Sequence, residues 1–395
     1  MWDSVNAAAV RDVEDVLPMN EEKIKVMSRE LWEEAFPEDT QQFLDYYDKY
    51  MADHNRIYMD EEEGEAISMI HCNPYCFHIG RTQAEVSYLV AVSTKEEYRH
   101  QGRMRRLMQK VLLDSYRREE PFVYLSPVAE SIYQPFDFRT VFRQNILTLG
   151  NVFMLKQERM DPQGSALLCR PAEYAQLAEL ADFSEQVLER TCSVYAKHDL
   201  AYFQRIWEEQ KAMNGRILLF YQDNNLVGYC LSGLENVTLV WELVINPPTP
   251  QLYAQALRAV TEYFKERLPV KICGMLPGVQ IAGIDVWEFS YRIMTMVRIT
   301  NLSAMAKVLC AKNPVDIILN IKDDLIEQNN GCFRFTVTEQ GGHLERLEKE
   351  ALPAADSVDF TIGELTDIIF GVKRKAGFPS EDLHLLQPLY LNEIV

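Results

Sequence analysis

Ser87-Tyr88-Leu89-Val90-Ala91-Val92, followed shortly by Arg99-His100-Gln101-Gly102-Arg103-Met104, decides how this chain is read. The first run is apolar and β-branched and predicts a strand. Beyond the second, Met104, Leu107, Met108, Val111 and Leu112 recur at helical spacing and predict an amphipathic helix. Strand, short basic loop and helix start together build a cradle for an anion. The first N–H groups of a helix have no partner inside it, and its dipole is positive at that end. A glycine there lets a phosphate come close to the backbone.

A second element stands about twenty residues on. The β-rich run Phe122-Val123-Tyr124-Leu125 is followed by Ser126-Pro127 and then Ile132-Tyr133-Gln134-Pro135-Phe136-Asp137-Phe138. The loop has the form R-x-x-G-x-(small or apolar), and the aromatic stretch is similar to (I/F)-Y-x-x-F-G-(F/Y). Both motifs, in this order and spacing, resemble the GNAT acyl-CoA-dependent N-acyltransferases. Two positions depart from that pattern. Asp137 stands where the family usually has glycine, and Met104 replaces a small residue.

At 395 residues the chain predicts two or three domains. Its hydrophobic content of 47% is ordinary for a globular protein, and no run approaches the roughly 20 apolar residues of a membrane helix. The first residues, with Asp3, Arg11, Asp12, Glu14 and Asp15, lack the blocks of a signal peptide. Eight cysteines without framework spacing read as reduced thiols, and a cytoplasmic protein without membrane insertion is expected. A net charge of −19 argues against nucleic acid as partner and suits a cationic, amine-bearing acceptor.

Three units are expected, at 1–150, 151–285 and 286–395. In the first, helical patterns at 28–36 and 40–51 precede a strand near 56–59. The acidic turn 60–65 then leads into a second strand at 66–72. The second repeats this plan in outline, with strands at 225–234 and 237–245 and a helix at 251–267. Its connecting loop is Asn246-Pro247-Pro248-Thr249-Pro250, where three prolines remove three N–H donors. A duplicate with a dead cofactor loop follows. In the third, Gly331–Thr338 alternates as a strand, Gln340-Gly341-Gly342 turns it, and a strand at 358–362 leads to a helix at 364–370 closed by Gly371. This ending is similar to sterol-carrier-like domains. The expected fold class is α+β, with tandem GNAT folds of mixed, splayed sheet flanked by helices, then a sterol-carrier-like domain. That layout resembles the Eis-type (enhanced intracellular survival) acetyltransferases, as do Leu31-Trp32 and Phe36-Pro37-Glu38-Asp39.

The resemblance implies an acetyl-CoA-dependent N-acetyltransferase, a homo-oligomer of hexameric kind, and roles for particular residues. Val92, Ser93 and Thr94 would line the opening between splayed strands and meet the thioester and pantetheine. His100, Gln101, Gly102, Arg103, Met104 and Arg105 would hold the pyrophosphate, with Arg99 in support, and Val128 and Ala129 would touch the coenzyme. Tyr133 would be the general acid: a phenol of pKa ~10 can donate to a thiolate of pKa ~8.5. The acceptor is costlier to prepare, since a lysine-like amine is neutral about once in ~2,500 at pH 7, roughly 4.6 kcal/mol. The resemblance gives the general-base role to the C-terminal carboxylate of Val395, with Glu393 as an amine contact. The apolar Leu389-Tyr390-Leu391 fits a docked tail. The resemblance places Trp32, Phe36, Phe43, Tyr46 and Tyr47 in the region that caps the acceptor cleft, mostly as helix core, with Trp32 and Phe36 the expected acceptor-pocket residues. His71, Cys72, Cys76 and His78 match no standard zinc spacing, and no metal is expected. The rival from another class is a non-catalytic protein that binds an apolar ligand or acyl-CoA through the sterol-carrier-like unit.

Overall fold

The computed structural model describes residues 21–52, 54–150, 167–234, 237–279, 288–348 and 357–393. The first unit opens with α1 (Glu21–Ala35) and α2 (Gln41–Tyr50), followed by strands β1 (Arg56–Glu62), β2 (Glu65–Ile79) and β3 (Thr82–Thr94). Helix α3 (Arg103–Arg117), strand β4 (Phe122–Leu125), the helical turn α4 (Glu130–Tyr133) and strand β5 (Arg139–Leu149) complete it. The second carries β6 (Leu168–Pro171), α5 (Leu177–Thr191), β7 (Val194–Ala196), α6 (Leu200–Ala212), β8 (Arg216–Gln222) and β9 (Asn225–Leu234). It goes on through β10 (Thr238–Ile245), α7 (Pro250–Tyr263), β11 (Val270–Ile272) and β12 (Glu288–Ile299). The remainder comprises α8 (Leu302–Val308), β13 (Val315–Lys322), β14 (Gly331–Thr338), β15 (Gly341–Leu347), β16 (Ser357–Thr361), α9 (Ile362–Ile369) and β17 (Leu389–Tyr390).

Thirteen of these strands form one sheet, in the order β17-β7-β2-β3-β4-β12-β5-β11-β10-β9-β8-β6, with β1 on β2. The sequence reading differs from it in three places. The acidic stretch 60–62 is still strand, so the hairpin turn is confined to Glu63-Gly64. Strand β2 runs straight through Pro74 to Ile79. Its pairing with β1 ends at Cys72 and its pairing with β7 begins at Phe77, so the missing N–H of Pro74 falls between two partners and breaks no ladder. Residues 288–299, assigned by pattern to the third unit, lie in the large sheet between β4 and β5.

Alternate residues of the central strands serve opposite faces. Leu89, Val123 and Leu125 pack with Leu107, Met108, Val111 and Leu112 of α3, and Tyr133 belongs to that layer. Tyr88, Tyr124 and Phe77 face the other way, in the core that takes Trp32, Phe43 and Tyr47 from α1 and α2. In the second unit Leu252, Ala256, Leu257 and Val260 of α7 cover β9 to β11.

Strands β15-β14-β13-β16 form a separate sheet covered by α8 and α9. A pocket lined by Met305, Leu319, Phe335 and Leu365, among others, lies between the sheet and these helices and has a volume of about 10 Å³. Arg298 of β12 joins this unit to the large sheet. Its guanidinium meets Asp323 at 2.6 Å and donates to the Phe136 carbonyl at 2.7 Å and the Ile299 carbonyl at 3.0 Å, with both charged side chains wholly buried. No helix among the described residues is long and apolar enough to cross a membrane.

Removing one partner of a buried ion pair strands the other charge, which costs about 3–5 kcal/mol. Arg298→Met is therefore expected to lower the melting temperature steeply, and adding Asp323→Leu to recover part of the loss. Thermal unfolding of the single and double variants followed by circular dichroism checks both.

Candidate active site

Strand β4 is short, and this opens the sheet. Its parallel pairing with β3 runs from Ser87↔Val123 to Leu89↔Leu125 and stops there, where Ser126-Pro127 turns the chain away. Strand β3 continues to Thr94, with a bulge on its other side between the Met69↔Ser93 and His71↔Val90 pairs. Ala91 sits in that bulge with a left-handed backbone, φ 51°. The splay thus begins after Leu89, three residues earlier than the sequence places it. Val92, Ser93 and Thr94 line it, half-buried, and Val128 and Ala129 stand exposed at its lip.

The loop beyond β3 has the form of an anion cradle. His100 and Gly102 adopt left-handed backbones, φ 62° and 76°, and Gly102 is the N-cap of α3. It has no side chain to cap the helix, and the first helical bond runs from the Arg106 N–H to the Gly102 carbonyl. The N–H groups of Arg103, Met104 and Arg105 therefore lie ahead of the hydrogen-bond ladder, at the positive end of the dipole. A Cβ at Gly102 would meet only the Arg106 guanidinium, 3.9 Å away, so the space in front is open. Arg99 donates to the Thr94 carbonyl at 3.2 Å and Gln101 to the Glu97 carbonyl at 3.0 Å, which hold the loop to the strand end. The Arg103 side chain reaches back to Asp60 at 3.1 Å and to Glu62, fastening α3 to the β1–β2 hairpin. Its backbone is what faces the cradle.

Tyr133 ends α4, packed edge-on against Phe138, and burial pushes its phenol up to about 12. The departure at Asp137 leaves the local turn intact. Asp137 takes up the left-handed backbone, φ 63°, for which glycine is the usual residue and which aspartate tolerates better than most. Its carboxylate accepts from Arg139 at 3.0 Å, and the neighbouring Phe136 carbonyl is the group that Arg298 holds.

On the opposite face of the sheet lies a cavity of about 550 Å³ between α2, β2, α6, β10 and the tail. Its wall is acidic, with Glu38, Asp39, Glu209, Glu242 and Glu393 against Arg205 and Arg292. Burial pushes the carboxyls of Glu209 and Glu242 up, against the pull of Arg205 on the first and of His198 and Tyr229 on the second. Tyr88 of β3 is buried on this same face, and burial pushes its hydroxyl up.

Of the pocket residues expected from sequence, Glu393 lines the cavity, whereas Trp32 and Phe36 do not appear in its wall. Trp32 is buried among Phe36, Phe43 and Tyr47, where its indole N–H holds the Asp39 carboxylate at 2.7 Å. Phe43 is the aromatic from this region that reaches the wall. Val395 lies outside the described residues. The tail before it is docked as expected. β17 pairs with β7, the Leu391 carbonyl accepts from Thr295 at 3.0 Å, and Glu393 is 4% exposed. Sequence reasoning missed Tyr75, Arg205, Glu209, Glu242 and Arg292. One signal was present, a lone acid in the apolar strand Leu239-Val240-Trp241-Glu242-Leu243-Val244-Ile245.

The second unit's loop has lost the cradle. Thr249 caps α7 by accepting from the Leu252 N–H at 3.3 Å, and Pro250 opens the helix with no N–H to offer. Here the parallel strands stay joined past their ladder, through the Leu243 N–H to the Gly274 carbonyl at 3.0 Å. The tail closes over them, with Tyr390 donating to the Gly274 carbonyl at 2.7 Å and Asn392 to that of Trp241 at 2.9 Å. A Cβ at Gly274 would stand 1.8 Å from the Trp241 carbonyl oxygen, so only glycine permits this approach.

Comparison with known proteins agrees with this geometry. Residues 17–141 match the family model of an acetyltransferase (GNAT) domain, and residues 302–378 match that of a sterol carrier protein domain. The chain thus carries an acetyltransferase domain, which implies acetyl coenzyme A as co-substrate and an amine-bearing acceptor. A protein of Enterococcus faecalis V583 described as a probable N-acyltransferase has the same fold, with a TM-score of 0.74, 15% identity, and 94% of this chain and 95% of that one covered. A GCN5-related N-acetyltransferase of Anabaena variabilis ATCC 29413 gives 0.71, 14%, 90% and 89%. Eis1 of Mycobacterium abscessus gives 0.61, 12%, 91% and 91%. A search of curated proteins returns no match.

The four residues weighed as a metal set lie spaced along β2. His71 is buried with its Nδ1 3.2 Å from the Tyr47 hydroxyl, Cys72 is buried on the α3 side, Cys76 is exposed, and His78 stacks on Tyr195. Burial lowers the His71 imidazole to about 3. An unfolded histidine binds its proton near 6.5, so the unfolded chain holds the extra proton between 6.5 and 3. The contribution of His71 to stability is full above that window and lost as pH falls through it. His71→Gln should flatten the decline in melting temperature between pH 7 and 4, which a pH series of thermal scans reads directly.

Proposed function

We propose that the chain is an acetyl-CoA-dependent N-acetyltransferase of Eis type, acting on a small polycationic or peptidic amine of the kind aminoglycosides represent. The observation that carries this is the coincidence of an uncapped, glycine-led helix start with the break in pairing between β3 and β4. The cradle of residues 99–105 holds the pyrophosphate, and Val92 to Thr94 with Val128 and Ala129 line the way for the thioester arm. Proximity and orientation supply much of the rate, because the amine arrives from the acidic cavity on the other face.

In the reaction the amine nitrogen forms a C–N bond to the acetyl carbon and the C–S bond breaks. Glu393 holds the ammonium, which gives one proton to solvent on becoming the free amine. The second leaves as the C–N bond forms and goes to a carboxylate of the tail, the α-carboxylate of Val395 in this reading. The departing sulfur takes a proton from the Tyr133 hydroxyl, which regains one from solvent before the next turnover. Burial of that phenol keeps it protonated throughout the neutral range. The rival reading, a carrier of apolar ligands, has against it the small size of the apolar pocket between α8, α9 and strands β13 to β15. Its 10 Å³ holds no more than a single water.

The test is thiol release from acetyl-CoA over an amine panel, with calorimetry of acetyl-CoA binding alongside. Turnover with at least one amine is expected. Tyr133→Phe, and separately removal of Ile394 and Val395, should each cut kcat by about 10²-fold or more while coenzyme binding holds. Absence of both binding heat and turnover would sink the reading.

A further inference from the structure

Charged groups around the acceptor cavity are mostly satisfied by the protein itself. Asp39 accepts from the Trp32 indole, and Glu209 takes the Tyr46 hydroxyl at 3.0 Å and Arg205 at 3.3 Å. Glu242 receives Tyr229, and also Tyr390 at 3.3 Å and Asn392 at 3.4 Å. Glu38 lies on the exposed rim.

Of the charged groups in this cavity wall, two are left incomplete among the described residues. Glu393 has one oxygen 3.5 Å from His198 Nε2, and its other oxygen is buried with no partner. Arg292 donates through Nε to Gln144 at 2.8 Å, and its Nη2 is buried with no partner. Both line the same cavity, and Gln144 bonds both Arg292 and Asn392, the residue before Glu393. The Tyr75 hydroxyl in the same wall is buried and unpartnered as well. A buried donor or acceptor left without a partner is costly, so such atoms mark where a ligand bonds.

We propose that the acceptor is an amine that also carries a carboxylate, as a free amino acid or a short peptide does, with its amine end at Glu393 and its carboxylate at Arg292. This rests on the acetyltransferase reading and narrows it. A plain polycation satisfies Glu393 but sets a like charge against Arg292. A molecule with one charge of each sign completes both groups, and a guanidinium suits a carboxylate in geometry as well as in charge. The volume accommodates a ligand of that size.

Matched probes test it: L-lysine against cadaverine, L-ornithine against putrescine, and L-phenylalanine against phenethylamine, the second of each pair lacking only the carboxylate. Acetylation is read as kcat/KM, and binding by calorimetry with and without coenzyme A. The acid-bearing member should be favoured by about tenfold or more in at least one pair, the worth of one charged hydrogen bond. Arg292→Met should bring that ratio to about one and Arg292→Lys restore part of it, with thermal scans showing both variants folded. Equal or better use of the decarboxylated amine in every pair overturns the inference and leaves the acetyltransferase reading standing. A ratio unmoved by Arg292→Met, as for an arginine that serves only the chain's own groups, overturns it too. So does failure of every acid-bearing probe to bind. Loss of coenzyme binding in the parent protein strikes the acetyltransferase reading instead, and the amino-acid binding arm still reports on the cavity.

Discussion

Strand β4 ends at Leu125 while both of its neighbours run on. β3 continues to Thr94 on one side, and β12 continues back along β5 from Thr295 to Glu288 on the other. Backbone pairing between β3 and β4 is interrupted there, in the middle of the sheet. Everything proposed about chemistry uses this gap. The loop of residues 99–103 and Tyr133 lie toward its α3 face, and the acidic cavity lies on the other. Two reactants can then meet head-on without sharing an entrance.

How much of this the sequence disclosed depends on how local each determinant is. The strand, loop and helix around Gly102 are set by neighbours a few residues apart, so pattern and turn chemistry found them. Tyr133 and its turn were found likewise, and Asp137 keeps the turn because its backbone tolerates the same left-handed conformation. Strand β12 was misplaced because its partners lie some 150 residues away in sequence, at β5 and β4, and nothing in Phe289–Ile299 itself states whom it pairs with. The cavity was the least legible part. Tyr75, Arg205, Glu242 and Arg292 come from four elements, and only the fold brings them together. Trp32 and Phe36 were picked for aromatic character, which by itself does not distinguish a pocket wall from the packing behind it.

The third unit contributes a brace. Its Asp323 receives the guanidinium that also holds the Phe136 carbonyl. Gly363 at the start of α9 lies so close to Arg139 that a Cβ there would stand 2.2 Å from the guanidinium, so this helix presses against the same turn. The backbone that aims Tyr133 is therefore fixed from outside its own unit, through charges withdrawn from solvent.

The two parallel-strand junctions in this chain show opposite fates of one architecture. Around β10 and β11 the junction is bridged, with Leu243 bonded to Gly274, Tyr390 to Gly274 and Asn392 to Trp241. Around β3 and β4 the peptide groups are kept apart, which sacrifices cohesion in the densest part of the molecule. The bridged junction keeps its backbone bonds within the chain, whereas the parted one leaves peptide groups of the sheet's middle facing a gap.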